Sequence, residues 1–199
     1  LWRYVNGLKN GVMIPDAPIE VLMETPTSLV IDAHGAMGAP VSVRAMRATI
    51  EKAKQSGAAF ACVRDSNHFG IAGYYAMLAL EHDCIGIATT NGRPLVAPTF
   101  GRRAMLGTNP IAVAAPADRE RPFVLDMATS TVPRGKLEVY NRLEKPIPLG
   151  WATDETGTPT TDAKRVLENS KQLAGGGLLP LGGAGELLSG HKGFGMALW

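Results

Sequence analysis

The chain has 199 residues, of which 45% are hydrophobic and 19% charged, with a formal charge of +2; this is enough for the core of one ordinary domain or two small ones. Lys and Arg are scattered among Asp and Glu and aromatics are sparse, which excludes the basic stripe and stacking platforms that nucleic acid requires. No apolar run approaches about 18 residues and no basic segment leads into one, so neither a membrane span nor a secretory signal is visible.

The 23 glycines and 14 prolines imply many turns and close backbone approaches. Cys62 and Cys84 lie in apolar, strand-like runs without CxxC spacing, which disfavours structural zinc and a disulfide framework and predicts two buried thiols suited to a reducing cytoplasm. The chain opens at Leu1-Trp2-Arg3-Tyr4 without an initiator Met and stops at Trp199 inside an apolar, helix-like pattern. Those ends suggest a fragment of a longer polypeptide.

Val41 to Ser56 sets Val43, Met46, Ile50 and Ala53 on one face and Arg44, Arg47, Lys52 and Lys54 elsewhere, which predicts an amphipathic helix stopped at Gly57. Ala58 to Val63 reads as a strand, Gly70 to His82 as a helix, and Cys84 to Thr89 as a second strand ending in Thr90-Asn91-Gly92. A strand, helix, strand unit with parallel strands would bring Asn67-His68 and Asn91-Gly92 to one edge of a shared sheet. Ile111 to Ala115 and Phe123 to Leu125, separated by the charged turn Asp118-Arg119-Glu120-Arg121, read as a hairpin, and its antiparallel strands predict a mixed sheet. A helix is predicted from about Val132 to Arg142 and a weak one around Ala163 to Glu168. No repeat or linker divides the chain, which reads as a single globular unit over residues 1–199.

The most informative stretch is Ser66-Asn67-His68-Phe69-Gly70, entered from the apolar run and followed by Ile71-Ala72-Gly73-Tyr74-Tyr75. A histidine between a strand and a helix N-terminus is biased towards neutral imidazole, and functional groups of α/β proteins gather at the carboxyl ends of strands. A general acid/base role follows from that placement. On the turn alone, a capping or packing residue is the more ordinary reading.

Other motifs fail. Gly183-Ala184-Gly185 lacks the third glycine of a dinucleotide fingerprint, His191 interrupts the phosphate-loop spacing of Gly185 to Gly190 before Lys192, and no GxSxG elbow occurs. None of His34, His68, His82 and His191 has a ligand pair at helical spacing, so no metal is predicted; His34 and His82 read as structural or surface groups. His191-Lys192-Gly193, beside a possible helix start, suits an anion, with an exposed basic turn as the equal alternative.

Ser66-Asn67-His68-Phe69-Gly70, Leu106-Gly107-Thr108-Asn109-Pro110, Asp126-Met127-Ala128-Thr129-Ser130, Gly135-Lys136 and Ser189-Gly190-His191-Lys192-Gly193-Phe194-Gly195 occur in one order. In this the chain resembles the malate/L-lactate dehydrogenase family of the second type, which includes ureidoglycolate, sulfolactate and diketogulonate dehydrogenases or reductases and a cyclic-imine reductase, all using NAD or NADP without a Rossmann domain. The resemblance implies an α/β fold, with a mixed sheet flanked by helices, of the non-Rossmann, sulfolactate dehydrogenase-like NAD(P)-binding type, residues 1–199 being the central NAD(P)-binding part of a longer chain. It implies a hydride transfer between a nicotinamide cofactor, NAD or NADP, and a small 2-hydroxy or 2-oxo acid, in a cytoplasmic homodimer. The alternatives are reduction of a cyclic-imine carboxylate, or an inactive nucleotide-binding homologue.

Carried over position by position, the resemblance implies His68 as the acid/base and Tyr4 as a substrate contact. Gly92, Asp126, Met127, Ala128, His191 and Lys192 become cofactor-binding positions. Family members begin with a helical segment carrying Ser-His-Gly and an arginine ahead of the position of Leu1, and continue well past a motif like Gly193-Phe194-Gly195. The arginine would grip the substrate carboxylate.

Overall fold

The computed structural model describes residues 2–199; Leu1, named in the opening tetrapeptide above, lies outside them. The chain divides into two compact units, unit 1 formed by residues 1–88 and 112–126 and unit 2 by residues 89–111 and 127–199. The three divisions fall at β4, β5 and β6, defined below, where no change of composition marks them.

Unit 1 begins with helix α1 (Trp2–Lys9) and a hairpin of β1 (Glu20–Thr25) and β2 (Ser28–Ala36). Pro26 and Thr27 make the turn: Thr25 pairs with Ser28 across it, and a proline sets the φ that a tight turn requires. From β2 the chain runs through helix α2 (Gly38–Ser56) into β3 (Phe60–Ser66). β3 pairs parallel with β2, Ser28 opposite Phe60 and Asp32 opposite Arg64, in a mixed sheet of order β1-β2-β3.

Helix α2 carries two apolar stripes rather than the single predicted face. Val41 and Ala45 pack with Leu29, Ile31 and Ala33 of β2, each large side chain so removed from water contributing about 1.5–3 kcal/mol. Val43 and Met46 pack instead against a second cluster built from α3 (Ala72–Met77), β4 (Gly86–Thr89) and β5 (Ile111–Ala115). Ala72, Tyr75 and Ala76 of α3 lie there on Ala88, Ala112 and Ala114; the small strand side chains let the helix approach closely.

β6 (Phe123–Met127) completes a second sheet of order β4-β5-β6. Residues 116–122 join β5 to β6 as the predicted hairpin, being too few for a parallel crossover. The predicted helix over Gly70 to His82 is α3 followed by a 3-10 turn, Leu78–His82, which ends at Asp83 in the left-handed conformation.

Two expectations are corrected here. The strands flanking α3 do not share a sheet: the parallel partner of β3 is β2, reached through α2, while α3 covers the β4-β5-β6 sheet. A strand, helix, strand unit exists, one element earlier than predicted, and the shared sheet edge inferred for Asn67-His68 and Asn91-Gly92 loses its basis. The thiols differ as well, Cys62 being exposed and Cys84 half-buried, because Cys62 alternates away from Ala61 and Val63, which pack on the α2 side of β3.

Unit 2 contains helices α4 (Arg134–Arg142), α5 (Ala163–Gln172) and α6 (Gly190–Leu198) and the two-residue strands β7 (Ala152–Thr153) and β8 (Gly177–Leu178), which pair antiparallel. Its core joins Val96, Val132, Leu137, Ile147, Val166 and Leu178. α4 starts two residues later than predicted, with Pro133 as its extended N-cap. α5 runs four residues beyond the predicted Glu168; the Asp162 carboxylate caps it by accepting the Arg165 N–H at 3.0 Å. Among the described residues no helix is long and apolar enough to cross a membrane.

Candidate active site

In unit 1 the turn after β3 is held by Asn67. Its side-chain amide donates to the carbonyls of Gly35 at 2.8 Å and Val12 at 3.0 Å, and its backbone N–H donates to Ala36 O at 3.2 Å. The turn also lies directly on the start of α2, where a Cβ on Gly38 would meet Asn67 O at 2.1 Å. Phe69 is fixed from the other side: its ring stacks on Tyr75 at 4.9 Å between centroids, and the Tyr75 hydroxyl donates to its carbonyl in a short hydrogen bond. His68 thus projects from a turn fastened on both sides.

The His68 ring is solvent-accessible and partly desolvated. Its Nδ1 lies 2.5 Å from the Tyr4 hydroxyl and accepts the backbone N–H of Gly70 at 3.3 Å. Desolvation, and after it the charge of Arg3, hold its pKa below the ordinary histidine value. Both causes favour the neutral imidazole that the sequence suggested. Burial, then the neighbouring Tyr4 and Tyr74, raise the pKa of Tyr75, which keeps that hydroxyl protonated and donating.

Asp126 also belongs to unit 1. Its Oδ2 accepts the N–H of Gly73 at 2.8 Å, in the first turn of α3, five residues after His68. Ile71, the N-cap residue of α3, makes no side-chain cap, so a carboxylate from β6 takes that place. The carboxylate expected to bind cofactor therefore has one oxygen committed to the helix that follows His68.

In unit 2 the remaining expected positions are tied together by residues given no role above. Asn109 accepts the Gly92 N–H on Oδ1 at 3.1 Å and donates from Nδ2 to Ala197 O of α6 at 2.8 Å. Thr129, 1% exposed, follows Met127 and Ala128 and donates its hydroxyl to the carbonyls of Thr108 and Asn109. Thr129 O in turn accepts the Leu181 N–H at 2.9 Å, and Gly193 of α6 lies on Leu181 so closely that a Cβ there would meet Leu181 O at 2.2 Å. Gly92, the Met127-Ala128 corner and the start of α6 are thereby fixed to one another, with an open cleft of about 170 Å³ beside Asn109, lined by Thr90, Asn91, Met196 and Trp199.

His191 and Lys192 occupy the first turn of α6, after Ser189 in the left-handed conformation, and both are exposed. A nine-residue helix presenting a lysine and an imidazole at its positive end suits an anionic group. The donor set fits the phosphates of a dinucleotide, with Gly193 allowing the helix to seat against Leu181.

Tyr4 and His68 are thus in contact, Asp126 braces the helix beyond His68, and in unit 2 the segments that carry Gly92, Met127-Ala128 and His191-Lys192 are joined through Asn109, Thr129, Leu181 and Gly193. Asn67, Asn109 and Thr129 were missed as supports; Asn67 and Asn109 stand inside the quoted motifs, and an amide that both donates and accepts was the available signal. Ligand atoms of Asp32, His34 and Asp65 lie within 4.8 Å of one another. Asp32 there is engaged by Arg64 and by the His34 N–H, and His34 by Glu20, an ion-pair cluster set on an irregularity in the β2–β3 register.

The Malate/L-lactate dehydrogenase family model matches residues 1–199. The chain is 52% identical to the malate dehydrogenase of Pyrococcus horikoshii over 198 residues, 100% of this chain and 53% of that protein. It is 42% identical to the L-sulfolactate dehydrogenase of Methanocaldococcus jannaschii over 196 residues, 98% of this chain and 53% of the relative. The crystal structure of malate dehydrogenase from Entamoeba histolytica superposes with a TM-score of 0.93 at 41% identity, covering 98% of this chain and 54% of the other. The mixed α/β fold, with its tethered histidine turn and braced α6 N-terminus, is that of a family of oxidoreductases: the chain belongs to the malate/L-lactate dehydrogenase family. It spans about half the length of the curated relatives it matches.

Proposed function

We propose that the protein containing this chain transfers a hydride between a nicotinamide cofactor, NAD or NADP, and C2 of a small anionic 2-hydroxy acid of the malate or sulfolactate kind, with His68 as acid/base. The observation that carries this reading is the fastened His68 turn, which holds a largely neutral, accessible imidazole at the end of a strand. Neutral imidazole accepts the hydroxyl proton as the C2–H bond breaks and the C2 carbonyl forms; the imidazolium returns that proton in the reverse direction. The cofactor, when bound, supplies the hydride acceptor.

Gly92, Met127, Ala128, His191 and Lys192 would hold the cofactor, and Asp126 would contribute only what its bond to Gly73 leaves free. The first turn of α6, with its exposed cation, favours the phosphates. The relatives named above support the substrate class, and a cytoplasmic homodimer is the setting in which this reading places the enzyme.

The test is His68→Asn in the full-length protein, followed at the absorbance band of reduced nicotinamide with malate and sulfolactate. Turnover should fall by about 10²–10⁴-fold, with affinity for NADH or NADPH unchanged in calorimetry. Wild-type turnover in that variant overturns the assignment.

A further inference from the structure

Two groups meet Nδ1 of His68, and they differ in kind. The Gly70 N–H, at 3.3 Å, is an amide and can only donate. Acting alone it would keep Nδ1 as an acceptor and place the proton of the neutral ring on Nε2. That tautomer leaves Nε2 without the lone pair that must receive a substrate proton. The two forms able to exchange a proton through Nε2, the Nδ1–H neutral ring and the imidazolium, both carry hydrogen on Nδ1.

The second group is the Tyr4 hydroxyl, 2.5 Å from Nδ1, with the two rings meeting edge-on at 72° and 5.8 Å between centroids. A hydroxyl rotates to donate or to accept. The other groups near the ring cannot replace it: Arg3 of α1 is a cation without an acceptor, and the Tyr75 hydroxyl of α3 is directed at the Phe69 carbonyl.

We propose that Tyr4 is a positioning residue for His68, its hydroxyl supplying the acceptor that Nδ1–H needs whenever the ring exchanges a proton through Nε2. This rests on His68 being the acid/base, and it gives Tyr4 a different task from gripping substrate. Tyr4 acts from behind the ring, selecting the productive tautomer and supporting the cation.

The experiment is imidazole nitrogen NMR of the full-length protein labelled at histidine, wild type against Tyr4→Phe, with kcat and KM measured across pH on the same samples. Phenylalanine keeps the edge contact and removes only the hydroxyl. Loss of one hydrogen bond to the protonated ring should lower the His68 titration midpoint by about half a unit or more. The neutral ring should shift towards the Nε2–H tautomer, and kcat should drop while KM for the hydroxy acid stays near wild type. An unchanged His68 titration and tautomer overturns the proposal, as does a rise in KM alone, which would make Tyr4 a substrate contact. A shifted titration with undiminished turnover supports the pairing and instead removes the acid/base assignment, so the two failures are distinguishable.

Discussion

The carboxylate of Asp126 caps a helix it is not part of: Oδ2 accepts the N–H of Gly73 at 2.8 Å across 53 residues of sequence. α3 begins just after the turn that carries His68, and the residue at its own N-cap position, Ile71, is aliphatic. A remote carboxylate thus anchors the helix whose start sets where the turn ends.

Asp126→Ala should destabilise the protein by about 1–2 kcal/mol, the worth of a helix cap. Gly73→Ala should act in the same direction, since its Cβ would stand 2.8 Å from Oδ2 and 3.1 Å from the Asp126 Cβ. Denaturant unfolding of both variants checks this. Unchanged stability in Asp126→Ala, with weakened cofactor binding, would mean that the carboxylate serves only as a ligand.

Asn109 offers a sharper comparison because its two bonds need opposite ends of the amide. Asn109→Asp keeps the acceptor for the Gly92 N–H but places a carboxylate oxygen against Ala197 O, 2.8 Å from the present donor. It should lose about 1–3 kcal/mol of stability and bind NADH or NADPH on the order of tenfold more weakly, which is about 1.4 kcal/mol. Calorimetric titration of the variant beside wild type decides it, and equal affinities would detach this network from the cofactor.

Glu155 provides a pH signature in unit 2. Its hydrogen bond from Arg165, reinforced by its own backbone N–H and by Asn169, lowers its pKa from 4.5 to about 2. A carboxylate with a depressed folded pKa adds stability that is present above the unfolded value and lost as pH falls through the folded one. The melting temperature should therefore fall between about pH 4.5 and about pH 2. Glu155→Gln should flatten that part of the curve by lowering the melting temperature at neutral pH and leaving it unchanged in acid, a small loss because both partners are partly exposed to solvent; an equally steep acid limb in the variant would place the titration elsewhere.

The features legible in the sequence are those encoded within a few residues. The helical period of α2 and the hairpin charge cluster around Asp118 both predicted their elements, and His68 stood out because apolar runs flank it. β1 escaped notice because every residue from Glu20 to Thr25 is exposed; it is a strand only because β2 pairs with it. The supports of the candidate site were hidden for a related reason. Tyr4 meets His68 across 64 residues and Asn67 reaches Val12 across 55, and no local pattern records such partners. The order of strands in a sheet is equally non-local, which is why α3 was assigned the crossover that α2 makes.

The interleaving of the two units bears on how the chain is made. Unit 1 has all its residues once Asp126 has been synthesised, whereas residues 89–111 belong with a partner segment that then still lies ahead. Asn109 meets its most distant partner, the Ala197 carbonyl, 88 positions later, a wait of several seconds at about 5–20 residues per second on a ribosome. Until Leu178 has been made, the core that Val96 enters in the finished fold is incomplete, so this stretch is where a nascent polypeptide is most exposed to misassociation and to capture by chaperones.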